Sequence, residues 1–162
     1  MKLTYLLPVL LFTFGSIQNA FAQQDIIGRT SEEEILKTHR IFDIYTQRYT
    51  PDSTSVAYLK ELDSPIHVVV LFGSWCHDSK KHIPEFIKVM QLAENPLLTA
   101  EYIGQSRAKS DPEGISDELH LQYTPTLIIY SGDIEIGRIV EEPTRSMEKD
   151  LVEIIKSGVA EG

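Results

Sequence analysis

The chain holds a single cysteine, Cys76, and a single tryptophan, Trp75, and the two are adjacent. One thiol excludes any disulfide within the chain, so stability rests on packing, which a core built from about 140 residues supplies. Bases are also in short supply. Lys and Arg total 15 against 24 Asp and Glu, a formal net charge of −9 with histidine neutral. Such a surface repels phosphate backbones, and no basic stripe with interleaved aromatics relieves it, which argues against nucleic acid as a partner. Internal repeats and low-complexity linkers are absent. Past the first residues no apolar run approaches the roughly 18–20 residues that span a bilayer, so no membrane span is expected in the mature chain.

The apolar residues that are concentrated lie at the front. A basic start, Met1-Lys2, precedes the almost wholly apolar Leu3 to Phe14, and Ala20-Phe21-Ala22 has a small-x-small pattern. This reads as a secretory signal peptide over residues 1–22, cut near Ala22-Gln23, which implies a periplasmic or secreted protein. The apolar core is too short for an anchor, and no cysteine stands at the cut to carry a lipid. Removal takes away one base, Lys2, and no acid, so the balance moves from −9 to −10. In an oxidising compartment a leftover cysteine points to an intermolecular bond or a reactive thiol.

Residues 23–62 read as a helical extension. Ser31 and Glu34 have capping-box spacing, with the acids Glu32 to Glu34 at the positive helix end. Ile35, Leu36, Phe42, Tyr45 and Tyr49 then keep one helical period as far as Thr50-Pro51. Asp52 caps a shorter helix carrying Val56, Leu59 and Leu62. The domain proper, 63–162, begins with Ile66 to Phe72, a β-branched run without alternation, as in a strand buried on both faces. A helix to about Glu94 follows, with Ile83, Phe86, Ile87, Met90 and Ala93 on one face and Pro84 inside it. Leu97 to Gly104 reads as a strand, and Asp111-Pro112 as the cap and first position of a helix through Ile115 and Leu119. Thr126 to Tyr130 and Ile134 to Val140 form a hairpin around Ser131-Gly132-Asp133, with Ile134, Ile136 and Val140 on one face. Met147, Leu151, Ile154 and Ile155 line a last helix that frays at Ser157-Gly158. Short parallel units followed by an antiparallel hairpin give an α/β fold: a mixed sheet sandwiched by helices.

Phe72 to Lys81 carries the chemistry. Cys76 falls where the buried strand gives way to a helix, so unpaired backbone N–H groups and the helix dipole favour its thiolate. A thiolate so placed attacks a partner disulfide and forms a mixed disulfide. Trp75 shields the thiol and offers a flat surface to a partner. His77, when charged, favours the thiolate, whereas Asp78 opposes it. Asp78 and His82, spaced i, i+4, would need further ligands to hold a metal beside Cys76. His39, His67 and His120 have no spacing that supplies them, so neither metal nor cofactor is expected.

These residues resemble the thioredoxin family over about 60–157. Trp75-Cys76-His77-Asp78-Ser79 stands where the family has Trp-Cys-x-x-Cys, and looks like the Trp-Cys-x-Asp-Ser/Cys motif of exported or bacterial members. Pro84 matches the proline of the same helix. Tyr123-Thr124-Pro125-Thr126 matches the segment with the family's cis-proline. The resemblance implies a three-layer α/β/α sandwich, a cis Thr124–Pro125 bond opposite Cys76, and Thr124 backbone groups that receive an extended partner segment. Two departures are plain: Ser79 replaces the second cysteine, and Val70 stands where many members keep a buried acid. An alcohol cannot displace a sulfur, so Ser79 is left to hydrogen-bond the thiolate. The expected function is monothiol exchange through Cys76 with protein or small-molecule thiols and disulfides. The alternative is a redox-inactive module that binds an extended peptide near Trp75 and Thr124. Peroxide reduction would need more polar groups around the thiol than the motif displays.

Overall fold

A computed structural model describes residues 23–160; the segment read as a leader, residues 1–22, lies outside them. In chain order the elements are β1 (Gly28–Thr30), α1 (Glu32–Thr38), α2 (Arg40–Arg48), α3 (Ser53–Lys60), β2 (Ile66–Phe72) and α4 (His77–Ala93). They continue with β3 (Leu98–Gly104), α5 (Ile115–Glu118), β4 (Thr126–Ser131), β5 (Ile134–Val140) and α6 (Met147–Ala160). The five strands form one sheet in the order β1-β3-β2-β4-β5. Strands β2 and β3 are parallel, while β1 on β3, β4 on β2 and β5 on β4 are antiparallel.

The uninterrupted apolar run of β2 is explained by what lies on either side of it. Val68, Val70 and Phe72 face a core shared with α1–α4 and α6, to which Ile35, Phe42, Leu59, Phe86, Ile87 and Leu151 contribute. Val69 and Leu71 face the opposite layer with Ile103 and Ile128, under α5 and its flanks. A strand covered on both faces has no solvent side on which to place polar residues. The two coverings are unequal: five helices lie on one face, and the single turn of α5 with its loops on the other. On the thicker side Phe42 meets Phe72 edge-on at 6.1 Å, an arrangement worth about 0.5–1.5 kcal/mol beyond area burial.

Several local expectations are corrected. The single helix read across 31–50 is two, because His39 leaves helical geometry at φ −120°, ψ 90°. Its ring is buried and bonds the Gln24 carbonyl at 3.0 Å, which drives the chain into an extended step at 39. Burial outweighs that bond and holds the His39 imidazolium below the ordinary histidine range. The break re-phases α2, so Tyr45 is 41% exposed and Thr46 is buried instead. The capping box is half made: Ser31 Oγ receives Glu34 N–H, but the Glu34 carboxylate takes the Thr38 hydroxyl. A short strand, β1, stands within the segment read as a helical extension.

Asp111 is not at a helix start. Its carboxylate gathers Glu113, Ile115 and Ser116 N–H groups and the Ser116 hydroxyl, and the helix that follows is one turn behind Gly114. In β5 the expected apolar face fails. A bulge opposite Ile129/Tyr130 inserts one residue and exchanges the two faces, so Ile139 is buried while Ile134 and Val140 are 71% and 43% exposed. Helix α6 runs on through Ser157 and Gly158. Among the described residues no helix is long and apolar enough to cross a membrane.

The helices of the first part of the chain and the last helix meet at Glu148, a carboxylate only 2% exposed. It accepts from the Tyr49 hydroxyl at 2.7 Å, Asp52 N–H at 3.0 Å and the Ser146 hydroxyl at 2.7 Å, tying the α2–α3 junction to the start of α6. Burial works against its ionisation, but the donors win and hold the carboxyl below its ordinary 4.5. At the other end of the core, Gly104 lets the Ile26 carbonyl lie directly against β3, where a Cβ would overlap it.

Two outcomes follow from this packing. A carboxyl depressed by folding stabilises the fold above its unfolded range near 4.5 and loses that contribution as pH falls through the folded value. Glu148→Gln therefore lowers stability by about 1–3 kcal/mol at pH 7 and flattens its acid dependence, as read by urea melts from pH 3 to 7. Gly104→Ala displaces residues 24–27 from β3 at a cost of about 1–3 kcal/mol. Faster amide exchange at Ile26 is its signature.

Candidate functional site

The turn from β2 into α4 is Gly73-Ser74-Trp75-Cys76, closed by Cys76 N–H on the Gly73 carbonyl at 2.9 Å. Glycine is required at 73 because the Trp75 ring lies over it: a Cβ there would stand 2.7 Å from Cε2. Ser74 is buried, and its hydroxyl oxygen receives Ile26 N–H at 2.9 Å, so the start of the described chain fastens this turn. Trp75 is half-buried and donates its indole N–H to the Gln105 carbonyl at 3.0 Å. Lys80 reaches back to the Trp75 carbonyl at 3.3 Å. Cys76 is itself the N-cap of α4, partly exposed, with an extended backbone and its carbonyl bonded to Lys80 N–H. Its sulfur thus lies at the positive end of a 17-residue helix.

Across from it runs the lead-in to β4. The Thr124–Pro125 peptide bond is cis, and Cys76 Sγ lies 3.1 Å from the Thr124 carbonyl oxygen. Antiparallel pairing of Leu71 with Thr126 delivers Thr124 to the end of β2 where Cys76 begins. The segment is fixed on both flanks, by the Thr126 hydroxyl on the Tyr123 carbonyl at 2.7 Å and by Glu141 N–H on the Pro125 carbonyl at 2.8 Å. Thr124 is buried, whereas Tyr123 is 47% exposed.

The structure therefore brings together Trp75, Cys76, Thr124 and Pro125. Ser79 lies one turn along α4, fully buried, but its hydroxyl oxygen receives Gly73 N–H at 3.1 Å. No hydrogen bond joins it to Cys76; the expected Ser79–thiolate contact is replaced by one that braces the turn. His77 is exposed and Asp78 half-exposed on the first turn, neither in an ion pair. His82 is turned inward, bonded through Nδ1 to Glu85 at 2.7 Å, with a buried Nε2 that has no partner. The Asp78–His82–Cys76 set does not assemble. Among the described residues no three His, Cys, Asp or Glu groups are placed to hold a metal ion.

Sequence reading missed the segment after β3. Gln105 N–H bonds the Phe72 carbonyl at 2.7 Å, so the residue that holds the Trp75 indole is itself pinned to β2. The loop beyond it closes on itself through Ser106 and Ser110, backbone to backbone at 2.9 Å and hydroxyl to hydroxyl at 2.8 Å. It sets the Arg107 guanidinium 5.7 Å from the Trp75 ring centre and the Lys109 ammonium 5.1 Å from that of Tyr123. The available signal was a pair of bases two residues apart between matching serines. A concavity of about 510 Å³ runs between β5 and α6, away from the thiol, lined by Arg138, Arg145, Asp150 and Glu153 among others. Cys76 is partly exposed beside the Thr124 carbonyl.

No family model and no curated protein sequence matches the chain. Solved structures do. A 1.5 Å crystal structure of a protein of unknown function from Pseudomonas aeruginosa is 16% identical, covering 83% of this chain and 89% of that one, with a TM-score of 0.57. An HIV epitope scaffold is 18% identical over 82% of this chain and 85% of its own, with a TM-score of 0.56. Reduced thioredoxin 2 from Pseudomonas aeruginosa is 19% identical over 71% and 97%, at 0.42. Likeness at such identities concerns fold alone. With the sheet order, the helix-capping cysteine and the cis-proline facing it, the chain has a thioredoxin-like α/β fold.

Proposed function

We propose that the chain carries out thiol–disulfide exchange through Cys76, outside the cytoplasm, in the periplasm or as a secreted protein. The observation that carries this reading is the 3.1 Å approach of Cys76 Sγ to the carbonyl before cis-Pro125, at the head of α4. In the first step the thiolate attacks one sulfur of a partner disulfide. The Cys76–S bond forms, the partner's S–S bond breaks, and the other partner sulfur leaves as a thiolate. Thr124 lies beside the reacting sulfur and offers its backbone to an extended segment, while Trp75 covers one side. Release needs a second thiol from outside, such as glutathione: it takes up the partner sulfur and returns Cys76 to the thiolate. Ser79 supplies no such thiol; its role is to hold Gly73 and so the turn.

A second reading is favoured by that same Ser79 geometry, since the turn is complete without redox work. In it the surface near Trp75 and Thr124 binds an extended peptide and the thiol is incidental. Intact-mass analysis of protein recovered from the exported fraction, under oxidising conditions, separates the two. Exchange predicts a thiol adduct or a trapped partner that Cys76→Ser abolishes. Free, slowly alkylated thiol, with partner capture unchanged in Cys76→Ser, identifies the binding module instead. In a single-turnover assay with pre-reduced protein and no added thiol, wild type is expected to stop at a mixed disulfide with insulin and to release no reduced chain. Ser79→Cys places a second thiol one helical turn from Cys76 and is expected to release reduced insulin chain at least about tenfold faster in the same single turnover, the protein keeping the new disulfide. Wild type that forms no mixed disulfide with insulin would show that Cys76 is not an attacking group.

A further inference from the structure

We infer that the closed loop Ser106–Ser110 selects the partner, admitting protein segments that carry carboxylates next to their disulfide. This rests on the exchange reading of Cys76 and names the kind of partner that reading leaves open. The loop places one cation on the aromatic residue next to each partner of the thiol contact: Arg107 over Trp75, beside Cys76, and Lys109 over Tyr123, beside Thr124. Both distances fall within the roughly 6 Å at which a ring face attracts a cation, so the charges are positioned rather than trailing in solvent. The loop has little freedom to move them, because Ser106 and Ser110 close it and Lys109 adopts a left-handed backbone at φ 59°. Lys80, bonded to the Trp75 carbonyl, adds a third positive group beside the same tryptophan.

The charges that face these are few. Asp25 pairs with Arg107 at 3.2 Å, yet the Arg107 side chain stays 73% exposed and retains donors for a second carboxylate. Asp78 occupies the first turn of α4. The Pro125 side is acidic instead, where exposed Glu141 and Glu142 follow the bond from Glu141 N–H to the Pro125 carbonyl. On a chain of net charge −9, cations over both Trp75 and Tyr123 are a local reversal of sign. Complementary charge speeds encounter and rejects like-charged partners. The surroundings of the thiol are therefore polarised, and they favour an acid on one flank of the partner cysteine over the other.

The test uses synthetic peptides whose single cysteine is activated as a 2-pyridyl disulfide, so that released thiopyridone reports mixed-disulfide formation. Acids are placed on the N-terminal flank, on the C-terminal flank, or replaced by amides or by lysines on both. At low salt one acid-flanked peptide should react about tenfold faster than the lysine peptide, and the lead should shrink in about 0.5 M salt. The double variant Arg107→Glu, Lys109→Glu should invert the order. Equal rates for all peptides, or an order unchanged in the double variant, overturn the inference. So does oxidised glutathione matching the best peptide, which would make a small anionic disulfide the partner. If no peptide reacts, the exchange reading has failed, and binding of cysteine-to-serine peptides by fluorescence anisotropy decides the loop separately. Tighter binding of an acidic peptide than of the lysine peptide sustains the inference; equal binding overturns it.

Discussion

The approach of Cys76 to the Thr124 carbonyl depends on one constraint, the antiparallel pairing of β2 with β4. Leu71 opposite Thr126 brings the end of one strand and the beginning of the other to the same edge of the sheet. What holds the pairing is burial of β2 on both sides, which leaves its backbone no partner but its neighbours. The sheet must then hand the chain to α4 within four residues. Gly73, under the Trp75 ring, and Ser79, bonded back to Gly73, make so sharp a passage feasible. The thiol is where it is because a doubly buried strand ends there.

What could be read in the sequence follows the same physics. The strand Ile66–Phe72, the helix start at Cys76 and the hairpin were legible because each is set by local pattern or by turn chemistry. The errors arose where a distant group intervenes. His39 breaks a helix because its ring seeks the carbonyl of Gln24, 15 residues away, and nothing near 39 announces that. The bulge in β5 exchanges faces through one inserted residue, which periodicity counts as noise. Around the thiol, Trp75, Cys76, Thr124 and Pro125 were legible as motif residues. Arg107 and Lys109 were not, since their meaning comes from two rings, one of them 32 residues earlier in the chain.

The residue three positions after Cys76 belongs to the turn and not to the thiol. Ser79 is fully buried and its oxygen holds the Gly73 N–H, so it stiffens the turn. Stiffness at the turn and unequal helical layers belong together. The face carrying five helices anchors α4 from behind through Phe42, Phe72 and Phe86, while the thinner face is left to α5 and its loops.

The lone tryptophan has a consequence for observation. Every photon of indole emission from this chain originates at Trp75, the residue before Cys76, whose N–H is held by the Gln105 carbonyl and whose ring lies beside the guanidinium of Arg107. Sulfur bonding at the next residue, or a carboxylate drawing Arg107 off the ring, alters the surroundings of that single fluorophore. The protein carries its own optical reporter at the one place where its chemistry is expected.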